Sequence, residues 1–289
     1  MDFEELEVNV KKTIDRFSLI SPADKVIVAV SGGKDSTVLL YVLNKLGYNV
    51  TGVTIDPGIP GYSDINLKNL AKFCSEQSIP LIIKSFREEF GFTLAEAMEV
   101  VKHMGLQLKA CAVCGVFKRT LLNRSARQLN ADVIATGHNM DDEAHAFLMN
   151  LLKGNIKDSA RMGPETGLVK DNRFIKRVKP LYFIREHNIR DYSQRKAFPV
   201  YYNECPLASS SFRYSIRSAL RVVEDPDTVP NIVHHLLEIL PLLRGYYFTE
   251  EKPLVCEECG EPSQNRLCQA CTFLHTITKH LKEKTLSSQ

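Results

Sequence analysis

A chain of 289 residues with 44% hydrophobic and 25% charged positions is long enough for one large domain with a small appendage, or for two modest domains, and should bury a proper core. It has no apolar run of the ~18 residues that a membrane span needs, and residues 1–20 are too charged for a secretory signal, so the expected compartment is the cytoplasm. A net charge of +3 neither demands nor excludes an RNA partner.

After an acidic, helical lead-in, Lys25 to Val30 reads as a short buried strand, rich in β-branched residues and ending at Ser31-Gly32-Gly33. Val38, Leu39, Val42, Leu43 and Leu46 then share a helical face, with Gly47 as its stop. Val50 to Asp56 is a second strand, Asp64 to Gln77 a helix, Leu81 to Lys84 a third strand, and Leu94 to Met104 a further helix. Val116 to Leu129 makes a basic amphipathic helix, Asp132 to Gly137 a fourth strand, and Asp141 to Leu152 another helix. This alternation predicts an α/β fold, a doubly wound parallel sheet covered on both faces. Ligands of such sheets sit beyond the carboxyl ends of the strands, where Ser31-Gly32-Gly33 and Gly137-His138-Asn139 both fall. Lys153 to about Pro180 is polar and irregular, predicting a mobile surface segment. Helical periodicity returns at Arg185 to Lys196, Phe212 to Val223 and Val229 to Leu243, and a separate cysteine-rich unit with a helical tail begins near Pro253.

Ser31-Gly32-Gly33-Lys34-Asp35-Ser36-Thr37 joins a strand to a helix. Its glycines admit backbone close to a phosphate, the first-turn amides point at it, and Ser31, Ser36 and Thr37 add hydroxyl donors. The glycine–lysine spacing is too short for a G-x-x-x-x-G-K-[ST] loop. An aspartate in an anion site repels phosphate unless a cation intervenes, so Asp35 is a candidate for Mg²⁺ or for ordering the loop. Taken alone, the segment reads as a polar turn with Asp35 stabilising the helix dipole. Taken whole, it resembles the SGGxDS signature of the ATP pyrophosphatases, the adenine nucleotide alpha hydrolases. Gly137-His138-Asn139-Met140-Asp141-Asp142-Glu143-Ala144 resembles their second motif, GHNxDDxA. The resemblance covers residues 1–150 and implies a PP-loop fold that cleaves ATP between the α and β phosphates and adenylates an oxygen.

Six of the eight cysteines form three Cys-x-x-Cys pairs, which in a long chain without export signals indicates metal or redox chemistry rather than a disulfide framework. Cys111-Ala112-Val113-Cys114 opens the basic helix that carries Lys118 and Arg119, and Cys205 follows far downstream in Asn203-Glu204-Cys205-Pro206. Spacing alone leaves a redox disulfide, a zinc site and a three-thiolate cluster all open. Together with the nucleotide motifs, these cysteines look like those of tRNA 2-thiolation enzymes of the TtuA type. That resemblance implies a [4Fe-4S] cluster on Cys111, Cys114 and Cys205, with one iron left open to an exogenous sulfide. It also implies Lys118 neutralising charge on the α-phosphate, Asp142 polarising or deprotonating the reacting group, and Asp35 beside them. Ala29, Ser31, Gly32, Gly33, Asp35, Ser36, Ile55, Lys118 and Gly137 would then form the ATP site. The activity implied is ATP-dependent tRNA uridine 2-thiolation, with pyrophosphate release and then sulfur transfer. The partners implied are tRNA, a sulfur donor (free sulfide or a ubiquitin-like thiocarboxylate protein) and a second copy of the chain. A cytidine 2-thiolase, a lysidine-synthetase-like ligase and a non-catalytic zinc-ribbon RNA-binding protein are the rival readings.

Cys256-Glu257-Glu258-Cys259 and Cys268-Gln269-Ala270-Cys271 supply four thiolates for Zn²⁺, with Gly260 and Pro262 shaping turns. The unit has too few apolar residues to fold unaided, so metal is expected to supply its folding energy, with a structural role ahead of RNA docking. TtuA-type proteins usually begin with another zinc unit, whereas no cysteine precedes Cys74 here. Cys74 itself reads as a small buried residue. The expected domains are a lead-in helix (1–24), the PP-loop domain (25–200), a helical segment completing it (201–252), and the zinc unit with its tail (253–289). Lys170, Arg173, Lys176, Arg177, Lys179, Arg185, Arg190, Arg195 and Lys196, interleaved with Phe174, Tyr182, Phe183 and Tyr192, are expected to track an RNA backbone. Arg213, Arg217 and Arg221 extend this as a helical stripe.

Overall fold

The computed structural model describes residues 1–167, 174–207, 212–223, 225–248 and 254–287, with side chains as far as 281. Lys170, Arg173 and Pro253 lie outside the described residues. Among the described residues one sheet contains β1 (Lys25–Ala29), β2 (Asn49–Asp56), β3 (Leu81–Ser85), β4 (Val133–Thr136), β5 (Glu165–Thr166) and β6 (Lys176–Val178). Their order is β3-β2-β1-β4-β6-β5, parallel throughout except for β5, which runs antiparallel to β6.

The strands bury both faces, and the period-two alternation of side chains divides them between two cores. Val26, Val28, Val50 and Val133 point into one core, while Ile27, Val53, Ile55 and Ile134 point into the other. The first core is closed by α1 (Phe3–Phe17), α2 (Lys34–Lys45), α3 (Ser63–Glu76) and α9 (Glu186–Arg195). α1 starts on a capping box between Asp2 and Glu5 and lays down Leu6, Val10 and Ile14 as its buried stripe. Glu7 ties this helix to its neighbours, accepting from Tyr192 Oη at 2.7 Å and from Lys45 Nζ. The second core is covered by α4 (Phe86–Phe90), α5 (Leu94–His103) and α6 (Ala110–Gln128). α7 (Met140–Leu152), α8 (Ile156–Ser159), α10 (Phe212–Val223) and α11 (Thr228–Tyr247) form a further layer around Tyr182, Val233 and Leu236. No helix among the described residues is long and apolar enough to cross a membrane.

Two expectations change. The stretch from Lys153 to Pro180 contains α8, β5 and β6 where a mobile surface segment was expected, and Val178 is fully buried. β6 escapes periodicity because it is three residues long and two of them are basic. The cysteine-rich unit is β7 (Leu254–Val255), β8 (Pro262–Ser263) and α12 (Gln269–Ser287), and it is not free-standing. Cys256, Cys268, Cys271 and Ile277 belong to the second core, and Phe273 meets Phe117 of α6 edge-on at 6.3 Å. Glu261, 5% exposed, is held by Arg127 Nη1 at 3.0 Å and lies 3.7 Å from Arg124.

Cys74 is buried as expected, at 2% exposure, and burial pushes its thiol from 9.0 up to about 11. The unfolded thiol releases its proton near pH 9 while the folded one keeps it, so stability is full below pH 9 and falls as pH rises towards 11. Replacing Cys74 by valine removes this term. The unfolding free energies of the two proteins, from urea titrations at pH 8 and pH 10.5, should shift relative to each other by about 2 kcal/mol against the unaltered protein at the higher pH. A constant difference between them would count against it.

Candidate active site

The loop after β1 is held by its own hydroxyls. Ser36 Oγ accepts from the Ser31 amide at 3.1 Å and donates to the Gly33 carbonyl at 3.2 Å. Gly32 has φ +80°, and a Cβ there would lie 2.8 Å from the Asn66 carbonyl oxygen, so the position needs glycine on both counts. The second motif sits directly on this loop. A Cβ on Gly137 would lie 2.8 Å from Ser36 N, so the two strand ends touch through backbone alone. Asn139 caps α7 in a reciprocal box with Asp142, and its Nδ2 donates to Asp35 Oδ1 at 3.0 Å. Asp35 Oδ2 accepts from Lys34 Nζ at 3.0 Å. Both carboxylate oxygens are therefore engaged in ordering the loop, and burial holds the Asp35 carboxyl above its usual range against the pull of Lys34. Asp142 lies 3.7 Å from Arg213 of α10.

Beside the loop is a cavity of ≈ 270 Å³ whose lining includes Ser31, Ile55, Cys111, Cys114, Lys118 and Cys205. The first turns of α6 present Cys111, Cys114 and Lys118, at spacings that share one side of a helix. Cys205 arrives from the segment between α9 and α10, and Cys111 Sγ donates to the Leu207 carbonyl at 3.8 Å. Cys205 thus shares a cavity with Cys111, Cys114 and Ser31 of the nucleotide loop. Ala29, Asp35, Gly137 and Asp142 border the loop without lining this cavity.

Burial pushes the Cys114 thiol up, Lys118 opposes it, and the neighbouring Cys205 and Cys111 push further. Burial and Cys205 likewise raise Cys111 against the pull of Arg213. Lys118 and Arg119 both pull the Cys114 thiol down, but burial and the neighbouring thiols outweigh them. Three thiols so arranged favour a cationic guest. Among the described residues, Cys256, Cys259, Cys268 and Cys271 are the one such ligand group whose donor atoms all lie within 4.8 Å of one another. Cys259 Sγ and Cys268 Sγ are 3.5 Å apart, near the ~3.8 Å that tetrahedral Zn–S bonds of ~2.3 Å dictate. The amides of Cys268 and Cys271 point at the sulfurs of Cys256 and Cys268. The three cavity thiols do not form a group of that compactness.

The basic stretch behaves differently from its composition. Lys176 binds the Ser18 carbonyl, Arg177 binds Asn123, Lys179 is buried against Glu143 at 2.6 Å, and Arg185 pairs with Asp141. Tyr182 and Tyr192 are buried, and Lys196 lies over Phe3 and Tyr41. These side chains hold the fold together, while Arg190, Arg195 and Phe174 of the same stretch are exposed. Arg217 is committed to Glu186 and Glu204, which leaves Arg213 and the exposed Arg221 as the outward part of the stripe. Periodicity missed Glu186, because a carboxylate in a helix's first turn is normally explained by the helix dipole.

Residues 4–223 match the ATP_bind_3 family, a PP-loop domain. The chain is 35% identical over 272 residues to the tRNA-5-methyluridine(54) 2-sulfurtransferase of Pyrococcus horikoshii, covering 93% of this chain and 84% of that protein. It is also 35% identical over 293 residues to the cytoplasmic tRNA 2-thiolation protein 1 of Anopheles gambiae, covering 96% and 82% respectively. Among solved structures it is similar to the U34-tRNA thiolase NcsA from Methanococcus maripaludis with its [4Fe-4S] cluster. The TM-score is 0.77 at 29% identity, covering 93% of this chain and 86% of that one. The two glycine turns in contact and the three cysteines beside them accord with these likenesses, and the chain belongs to the PP-loop family of tRNA 2-thiolation proteins.

Proposed function

We propose that the chain is an ATP-dependent tRNA uridine 2-thiolase. The observation that carries this reading is the single cavity lined by Ser31 of the nucleotide loop, Lys118 and the thiols of Cys111, Cys114 and Cys205. ATP–Mg²⁺ binds at Ser31 to Ser36, with Ile55 and Gly137 bounding its site and Asp35 keeping the loop in shape. The C2 oxygen of the uridine attacks the α-phosphorus, the bond to the β-phosphate breaks, and pyrophosphate leaves. Lys118 offsets the charge that builds on the α-phosphate. Asp142 polarises the reacting group. Sulfur then bonds to C2, and the former carbonyl oxygen departs with AMP. Adenylation provides the leaving group that the carbonyl oxygen lacks on its own.

Cys111, Cys114 and Cys205 would hold a [4Fe-4S] cluster, which when bound supplies an iron free of protein ligands for a sulfide. Cys256, Cys259, Cys268 and Cys271 would hold a structural Zn²⁺. The donor is free sulfide or a thiocarboxylate protein, the setting is the cytoplasm, and the working unit is a homodimer. The names of the relatives support the tRNA substrate, and the NcsA title supports the cluster. Anaerobic purification with iron and zinc analysis, followed by a tRNA-dependent pyrophosphate release assay, tests the reading. About four irons and one zinc per chain are expected, with pyrophosphate release abolished in Asp35→Ala. A fully active protein with serine at all three cavity cysteines would instead favour a lysidine-synthetase-like ligase.

A further inference from the structure

Five charged side chains of alternating sign join the nucleotide loop to the residue preceding Cys205. Lys34, the first residue of α2, places Nζ 3.0 Å from Asp35 Oδ2 and 2.8 Å from Glu186 Oε1. Glu186 opens α9, and its amide donates to Asp141 Oδ2 of α7 at 2.7 Å, which fixes the helix end. Arg217, from the middle of α10, donates through Nη2 to both Glu186 oxygens at 2.9 and 3.1 Å. Through Nη1 it donates to Glu204 Oε1 at 3.2 Å. The side chains of Lys34, Glu186 and Arg217 are 12, 22 and 24% exposed, so these rungs are poorly screened and tightly oriented, while Glu204 at 55% is the open end.

We propose that Glu186 and Arg217 are positioning residues that set the Cys205 segment in register with the nucleotide loop and relay nucleotide occupancy to it. Glu186 is shared between two cations. A triphosphate arriving at the loop competes with Glu186 for Lys34, and the carboxylate then belongs to Arg217 alone. The guanidinium spans Glu186 and Glu204, so a shift at one end moves the other. α2, α9 and α10 come from separate parts of the chain, and these charged groups link them. The significance for sulfur transfer rests on the reading of Cys205 as a cluster ligand, but the ion-pair chain itself does not.

Hydrogen–deuterium exchange of the iron-free 289-residue chain with and without adenylyl imidodiphosphate and Mg²⁺ tests this. In the unaltered protein the analogue should slow exchange about fivefold or more in residues 31–37 and again in residues 201–207. In Arg217→Met and in Glu186→Gln the slowing at 31–37 should persist and that at 201–207 should vanish, with cooperative thermal unfolding retained as the control for folding. Arg217→Lys keeps the charge but reaches only one carboxylate, and should give an intermediate response. Equal slowing at 201–207 in Arg217→Met, or none there in the unaltered protein, overturns the proposal. Coupling in a protein that never takes up iron would leave the relay standing and remove the cluster reading instead.

Discussion

Serine in place of Cys268 is expected to lower the unfolding temperature by about 10–20 °C and to leave the protein free of zinc. The sulfur of Cys268 is buried, accepts the Cys271 amide and lies 3.5 Å from Cys259 Sγ. Zinc bound by four thiolates contributes ~10–16 kcal/mol to small metal-dependent folds, against a total stability of ~5–15 kcal/mol for an ordinary domain. In a free-standing ribbon the loss would remain local. Here Cys256, Cys271, Ile277 and Phe273 pack into the second core against α6, so release of a metal held by these thiols would loosen the helix that carries Cys111, Cys114 and Lys118. Calorimetry and metal analysis of the purified variant test the point. A zinc-free protein with an unchanged melting temperature would mean that the ribbon needs no metal.

Lys118→Met should slow tRNA-dependent pyrophosphate release ~100- to 1000-fold, the range associated with losing one preorganised group at a developing oxyanion. Methionine keeps most of the side chain's volume, so the half-buried position on α6 stays filled. Lys118 is also the main group opposing the upward push on the Cys114 thiol, so the variant's iron content should be measured alongside its rate. A large rate loss at full iron occupancy locates the role at the phosphate. A loss of less than about fivefold would make Lys118 a packing residue.

The strands that build the sheet centre were legible because their signals are local. Lys25 to Ala29 is almost wholly apolar, and Ser31 to Thr37 and Gly137 to Ala144 carry their chemistry in consecutive residues. Cys205 is different. Nothing in its neighbourhood predicts a place beside Cys111, and only the motif resemblance joined them before the fold did. α4 and β6 were invisible because five and three residues are too few to show a period. Composition counts charges and cannot see partners, so the ion pairs of the basic stretch were not legible in it. Lys179 meets Glu143 and Arg185 meets Asp141 only after α7 and the segment beyond β6 have packed. The chain from Lys34 through Glu186 to Arg217 and Glu204 was hidden for the same reason, since its members are scattered over 186 to 217 apart from the first.

The register of the central strand also orders assembly in time. β1 pairs with β2 after a short crossover, but joining β1 to β4 closes a loop of 107 residues, as the bond from the Lys25 amide to Asp132 records. Closure entropy rises with loop length, and contacts of such long range form late and slowly. The β1–β2–β3 half can therefore condense early, while the seat of Gly137 on Ser36 exists only after the distant strand has docked. A nascent chain released before residue 137 has the glycine turn but not the backbone that seats against it.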